Sequence, residues 1–223
     1  VDNPHLCQMA SERNLQSDPE RPYSLLLPYG LDYQGGVVLF SDEKHPFLRI
    51  LCGGVLINTN LVGSYNADNV MAAIAVGVHF GVSFEDAVKA IEAYVPSNNR
   101  SQMTKTENNT LIVDAYNANP TSMAAALENF SNVSAKCRIA RLGDMLVLGG
   151  DSAAEHKAVV ESALSRTFCK VCFVGKEFSS VSSVADGSSA MFFNTSDELA
   201  EYLRANPVKD ATVLIKGSRG TRM

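Results

Sequence analysis

The sequence holds no stretch of about 18 or more apolar residues, so nothing in it reads as a membrane-spanning helix. It has no long run of charge of either sign, and a formal charge of −5 gives no support to a nucleic-acid or membrane-surface role. A secretory signal is also missing: the chain opens Val1-Asp2-Asn3-Pro4, without an initiating methionine or a basic leading segment, and reads as a piece of something longer. Cysteine is sparse. The odd, scattered set Cys7, Cys52, Cys137, Cys169 and Cys172 favours reduced thiols in a cytosol. Cys169 and Cys172 have C-x-x-C spacing, but Val171, Phe173 and Val174 make the segment one buried strand, and no second pair exists to complete a zinc site. His5, His45 and His79 share no metal-ligand spacing either.

Two glycine motifs are absent as well. There is no G-x-x-x-x-G-K-[ST] phosphate loop and no G-x-G-x-x-G fingerprint, and Gly35-Gly36 and Gly149-Gly150 are too short to replace them. Taken alone, these residues support a ligand-binding α/β domain and not an ATPase. What is present is an ordinary globular composition, 46% apolar and 19% charged over 223 residues, enough for one large domain or two modest ones.

Residues 11–36 hold turn formers and three prolines with little periodicity. The apolar runs 37–40, 47–51 and 55–57 predict adjacent strands, connected as hairpins. A helix from Asn66 to Phe80 is apolar on most sides and is expected to be well buried, with Gly81 closing it. Ser83 is placed to cap a second helix in which Phe84, Ala87, Val88, Ile91 and Val95 follow the helical period. Pro96-Ser97-Asn98-Asn99 breaks the pattern and suggests a domain boundary. Strands at 110–113, 138–142, 170–174, 190–194 and 211–215 then alternate with helices opening at Asn119-Pro120, Ser152 and Ser196. That alternation predicts an α/β fold with a mostly parallel sheet covered by helices on both faces.

In such sheets the ligand crevice lies beyond the carboxyl ends of the strands. The segments found there are Asp114-Ala115-Tyr116-Asn117-Ala118-Asn119, then Gly143-Asp144-Met145, Gly175-Lys176, and Lys216-Gly217-Ser218-Arg219. Their convergence would form a site for something with hydroxyls and anionic groups. Singly, each residue has a plainer explanation. Asp114 could bond turn amides, Asn119 could be only the helix cap, Lys216 and Arg219 could be a solvated terminus, and His156 could be a satisfied core histidine.

Four ordered segments together resemble the Mur ligases, and within that family the branch whose acceptor is D-alanyl-D-alanine. They are Gly63-Ser64-Tyr65-Asn66-Ala67-Asp68-Asn69-Val70-Met71-Ala72-Ala73, with tyrosine in place of the family's histidine; Asp114 through Met123, reading D-A-Y-N-A-N-P-T-S-M; Leu142 through Gly149, reading L-G-D-M-L-V-L-G, followed by His156; and Lys216-Gly217-Ser218-Arg219. The resemblance implies that residues 1–95 are the C-terminal part of an α/β P-loop-type central ATPase domain, with Asp2-Asn3-Pro4 near the end of one of its motifs. Residues 96–223 would then be a Rossmann-like nucleotide- and acceptor-binding domain. The phosphate loop, the Mg²⁺ ligands and a modified lysine would lie upstream.

The resemblance further implies ATP and Mg²⁺ as cofactors, with UDP-N-acetylmuramoyl-tripeptide and D-alanyl-D-alanine as partners in a cytoplasmic ligation through an acyl phosphate. Asn69 would contact adenine with support from Asn66, Asp114 would accept from the ribose hydroxyls, and Arg100 would reach the ATP phosphates as the catalytic cation. Asn99 stands before Arg100 where the family usually carries glycine. Tyr116, Asn117 and Asn119 would line the junction of nucleotide and acceptor, and Lys216, Ser218 and Arg219 would hold the dipeptide carboxylate. Val147 stands where relatives often carry glutamate. A sister ligase such as a folylpolyglutamate synthase, or a noncatalytic binding module, are the competing expectations.

Overall fold

The structure is a computed structural model and describes Gln8 and residues 29–39, 45–97 and 99–223. The described residues form two compact units, one of 29–39, 47–60 and 64–94, the other of 45–46, 61–63, 95–97 and 99–223. The expectations for residues 11–28 lie outside the described residues.

In the first unit a short helix, α1 (Leu31–Gln34), precedes three antiparallel strands, β1 (Val37–Leu39), β2 (Arg49–Cys52) and β3 (Val55–Asn58), in the spatial order β1-β2-β3. Gly53 and Gly54 make the β2–β3 turn at φ 57° and 77°, values glycine reaches without Cβ strain. Alternation sends Ile50 and Ile57 into the core, where both are fully buried. Two helices follow, α2 (Ala67–His79) and α3 (Phe84–Ala93). Gly81 follows α2 at φ 89°, and Ser83 caps α3 by accepting a hydrogen bond from the Asp86 N–H.

One expectation for α2 needs correction. Val70, Met71 and Ile74 are buried, but Val76, Val78 and Phe80 are exposed. The helix is apolar all round, yet packing on one side covers only one stripe of it.

The second unit is built on a six-stranded sheet of β4 (Gln102–Lys105), β5 (Asn109–Asp114), β6 (Arg138–Gly143), β7 (Lys170–Val174), β8 (Met191–Phe193) and β9 (Ala211–Lys216), in the order β4-β5-β9-β6-β7-β8. Only β4 is antiparallel to its neighbour; β5, β9, β6, β7 and β8 pair in parallel. The helices flanking this sheet are α4 (Pro120–Ser131), α5 (Ser152–Leu164), the short α6 (Lys176–Ser180) and α7 (Ser196–Ala205). The expected α/β class with a mostly parallel, helix-flanked sheet therefore holds. Both faces of the sheet are covered: Leu142 of β6 and Phe173 and Val174 of β7 are sealed, as are Met123, Leu127 and Phe130 on α4.

The topology has one consequence for the site. The last strand, β9, inserts between β5 and β6 instead of adding to an edge. Its carboxyl end, at Lys216, is thereby set directly beside those of β5 at Asp114 and β6 at Gly143.

Candidate functional site

The parallel registers of β5 with β9 and of β6 with β9 place Lys216 opposite both Asp114 and Leu142. Successive loops therefore leave the sheet side by side at one rim. Lys216 has only 1% of its surface exposed, and its Nζ donates to Asp114 Oδ2 at 2.6 Å. A weaker bond at 3.4 Å runs from the same ammonium to the Asn117 carbonyl. Lys216 is thus not a solvated terminal cation: its charge is spent on fixing the Asp114 carboxylate and the turn after β5.

Asp114 Oδ1 also accepts the Ser101 N–H, at 3.4 Å. A carboxylate has about four lone-pair sites, so with these two donors it keeps acceptor capacity, and its side chain is 14% exposed. The chain around Arg100 is shaped by two left-handed residues, Asn99 at φ 53° and Ser101 at φ 48°. Asparagine tolerates this conformation better than most non-glycine residues. The Asn99 carbonyl accepts the Ala115 N–H at 2.9 Å and ties the turn to the end of β5. Exposed Arg100 lies with its guanidinium carbon 3.8 Å from the centroid of the Tyr116 ring, a cation–π contact that holds it at the rim.

Asn119 is a true helix cap. Its Oδ1 accepts the Ser122 N–H at 2.8 Å and the Ser122 hydroxyl accepts the Asn119 N–H at 3.1 Å, with Pro120 at the first position of α4. Asn117 turns its Oδ1 back onto the Ala118 N–H at 2.9 Å. Asn66 and Asn69 belong to the first unit, where Asn69 Nδ2 donates to Asn66 Oδ1 at 3.2 Å; Asn66 is buried and Asn69 exposed.

The loop after β6 is clamped to the loop after β9. Ser218 Oγ accepts the Leu146 N–H at 3.1 Å, and the Asp144 carbonyl accepts the Ser218 N–H at 3.0 Å. A Cβ on Gly217 would meet the Gly143 Cα at 2.9 Å, so these backbones touch where only glycine fits. Ser218 is therefore a clip between loops, while Arg219, at the start of the following turn, is exposed.

Two residues that the sequence already singled out, Asp144 and His156, turn out to be supports of this rim. Asp144 is buried, and its carboxylate accepts the N–H groups of Glu177 at 3.1 Å and Phe178 at 3.0 Å, capping α6 from another loop. A side chain on Gly175 would collide with that carboxylate. His156 is fully buried: Nδ1 donates to the Ser152 carbonyl at 2.7 Å and Nε2 accepts the Met145 N–H at 3.1 Å. It is a satisfied core histidine that holds the β6 loop. Its recurrence beside L-G-D-M in the family resemblance was the available signal, but its partners are set by tertiary contacts.

A cavity of about 410 Å³ lies farther along the same edge, lined by Leu146, Lys176, Asn194, Ser196 and Arg222. It shares Asp144 and Leu146 with the rim but includes neither Asp114 nor Arg219. The rim brings together Asp114, Lys216, Arg100 and Tyr116, which the cavity lining does not include.

The fold and this rim define an α/β domain on a mostly parallel sheet with polar loops gathered at its carboxyl edge. Residues 99–219 match the family described as Mur ligase, glutamate ligase domain, and the chain belongs to the Mur ligase family. It is 32% identical to the UDP-N-acetylmuramoyl-tripeptide–D-alanyl-D-alanine ligase of Treponema pallidum over 91% of this chain and 45% of that protein. Against the enzyme of the same name from Escherichia coli it is 32% identical over 79% of this chain and 39% of that protein. A crystal structure of MurF from Acinetobacter baumannii superposes with a TM-score of 0.72 at 25% identity, covering 83% of this chain and 42% of that one. The chain spans less than half the length of these relatives.

Proposed function

We propose that this chain is the C-terminal, nucleotide- and acceptor-binding portion of an ATP-dependent ligase that joins D-alanyl-D-alanine to UDP-N-acetylmuramoyl-tripeptide. The observation that carries the reading is the register of β5 against β9, which sets D-A-Y-N-A-N-P beside K-G-S-R at one rim. The first segment is one of the four on which the resemblance to the D-alanyl-D-alanine branch rests. The second ends in a cation suited to a carboxylate.

In this proposal residues 1–95 are the tail of the central ATPase domain and residues 96–223 the domain that closes on the nucleotide. ATP phosphorylates the terminal carboxylate of the tripeptide, and the amine of the dipeptide attacks the acyl phosphate. Phosphoryl transfer depends mainly on positioning and charge neutralisation. Asp114, held by Lys216, accepts from the ribose hydroxyls, and Asn69, its amide fixed by Asn66, contacts the adenine edge. Arg100 supplies the mobile positive charge for the phosphates, released from the Tyr116 face as the nucleotide arrives. Tyr116, Asn117 and the Asn119 turn shape the passage to the acceptor, whose carboxylate meets Arg219. Ser218 and Lys216 keep those groups in register.

Among the described residues no cluster of three or more His, Cys, Asp or Glu side chains could hold a metal, so no step is assigned to Mg²⁺ here. No helix among them is long and apolar enough to cross a membrane, and nucleotide substrates would place the enzyme in the cytoplasm. The test is acceptor choice by the full-length ligase that carries this chain, read as phosphate release with ATP and the tripeptide nucleotide. D-alanyl-D-alanine should support turnover and single amino acids, glutamate included, should not. Preference for glutamate would assign the chain to a sister ligase.

A further inference from the structure

We propose that Cys137 and Cys169 form a dithiol modification site at the amino ends of β6 and β7, closed to an intrachain disulfide by low-molecular-weight disulfides. The C-x-x-C spacing suggests Cys169 with Cys172, but the fold separates those two. Cys172 is buried in β7 and packs in a cluster with Val174 and Leu199. Cys169 sits one residue before β7, exposed, with its backbone N–H bonded to the Arg138 carbonyl at 2.8 Å.

The register pairs Ile139 with Lys170, so Cys137 and Cys169 lie one step apart on adjacent chains. Neighbouring strands some 5 Å apart and a rise of about 3.3 Å per residue put their Cα atoms about 6 Å apart, inside the range that a disulfide spans. Both residues lie just outside the regular strands, where strict alternation of side chains no longer holds. Burial, followed by a hydrogen bond with the Cys169 thiol, pushes the Cys137 thiol up to about 11. Exposed Cys169 is the entry point, and half-buried Cys137 is the resolving thiol.

The chemistry balances. Cys169, as its thiolate, attacks the disulfide RSSR, forms a mixed disulfide and expels one RS⁻. Cys137 loses its proton to solvent and attacks the Cys169 sulfur, expelling the second RS⁻. The two thiolates take up protons, so two protein thiols and RSSR give one protein disulfide and two RSH, with two electrons passing from protein to RSSR. The site lies at the opposite end of β6 from the rim, roughly 20 Å away over six residues. It therefore adds to the proposed function without depending on it.

The test incubates the reduced full chain with glutathione disulfide at graded ratios to glutathione, followed by alkylation, digestion and mass spectrometry. A crosslinked Cys137–Cys169 peptide should accumulate with the loss of about two titratable thiols, and C169S and C137S should each abolish it. Phenylarsine oxide, which bridges paired thiols, should bind the parent at least about tenfold more tightly than either variant. C169S changes an exposed position, so it keeps the comparison valid even if C137S folds poorly. Glutathione resting on Cys169 as a stable mixed disulfide, a Cys169–Cys172 crosslink, or equal arsenical affinity in parent and C169S would overturn the proposal.

Discussion

Replacing Lys216 by methionine keeps the stem and removes the ammonium that meets Asp114 at 2.6 Å. What remains is a carboxylate that is 14% exposed, with one long bond from the Ser101 N–H. Removing one member of a buried ion pair costs about 3–5 kcal/mol, because the other charge stays desolvated. Some water reaches Asp114, so Lys216→Met should fall at the lower end, about 3 kcal/mol. Asp114→Asn strands the better-buried ammonium and should cost more, toward about 5 kcal/mol. The double replacement removes both charges and should cost less than the sum, with a coupling of about 2–3 kcal/mol. For a unit of this size each kcal/mol moves the midpoint by about 3–5 °C, so Lys216→Met should melt roughly 10 °C below the parent. Differential scanning calorimetry of the four chains measures the cycle. A Lys216→Met midpoint within about 2 °C of the parent, or strict additivity in the double variant, would refute the claim that this pair fixes the rim.

Three further outcomes are expected. Asn119→Ala should cost about 1–2 kcal/mol in chemical denaturation, since it removes the cap of α4 and its reciprocal partner, whereas Asn117→Ala should cost distinctly less. If the proposed function holds, Arg219→Ala in the full-length protein should raise the KM for the dipeptide well beyond any change in the KM for ATP, and an unchanged dipeptide KM would remove Arg219 from the site. The hydrogen bond from Lys89, then that from Ser83, holds the Asp86 carboxyl below its usual range. Because the folded value is depressed, this contribution is present above about pH 3.9 and is lost as the pH falls through the folded value. Lys89→Gln should therefore raise the Asp86 midpoint seen by NMR titration, and no movement would contradict the pairing.

Much of the fold was legible because its signals are local. Asn119-Pro120 before an apolar run, Ser83 three residues before Asp86, and short apolar runs spaced by helices each carry their own physical cause. β4 was not legible: Gln102-Met103-Thr104-Lys105 is a polar edge strand without alternation, defined by its antiparallel pairing with β5. The exposed stripe of α2 was hidden too, because Val76, Val78 and Phe80 look like core until the packing partners are known.

At the rim, residue types pointed to the correct strand ends but not to their individual contacts. Lys216 and Asp114 are 102 positions apart, and only the insertion of β9 between β5 and β6 makes one the partner of the other. The Ser218 hydroxyl and the Asp144 carboxylate are likewise committed to other loops, through bonds that no spacing rule predicts.

Hydrogen exchange of the full-length protein, followed with and without ADP and D-alanyl-D-alanine, examines the gathering of these loops most directly. Segments 99–101, 114–119, 143–147 and 216–221 should gain protection together, while the amino ends of β6 and β7 stay unchanged. Protection confined to the 175–177 and 194–197 turns around the neighbouring cavity, or at the amino ends, would contradict the account.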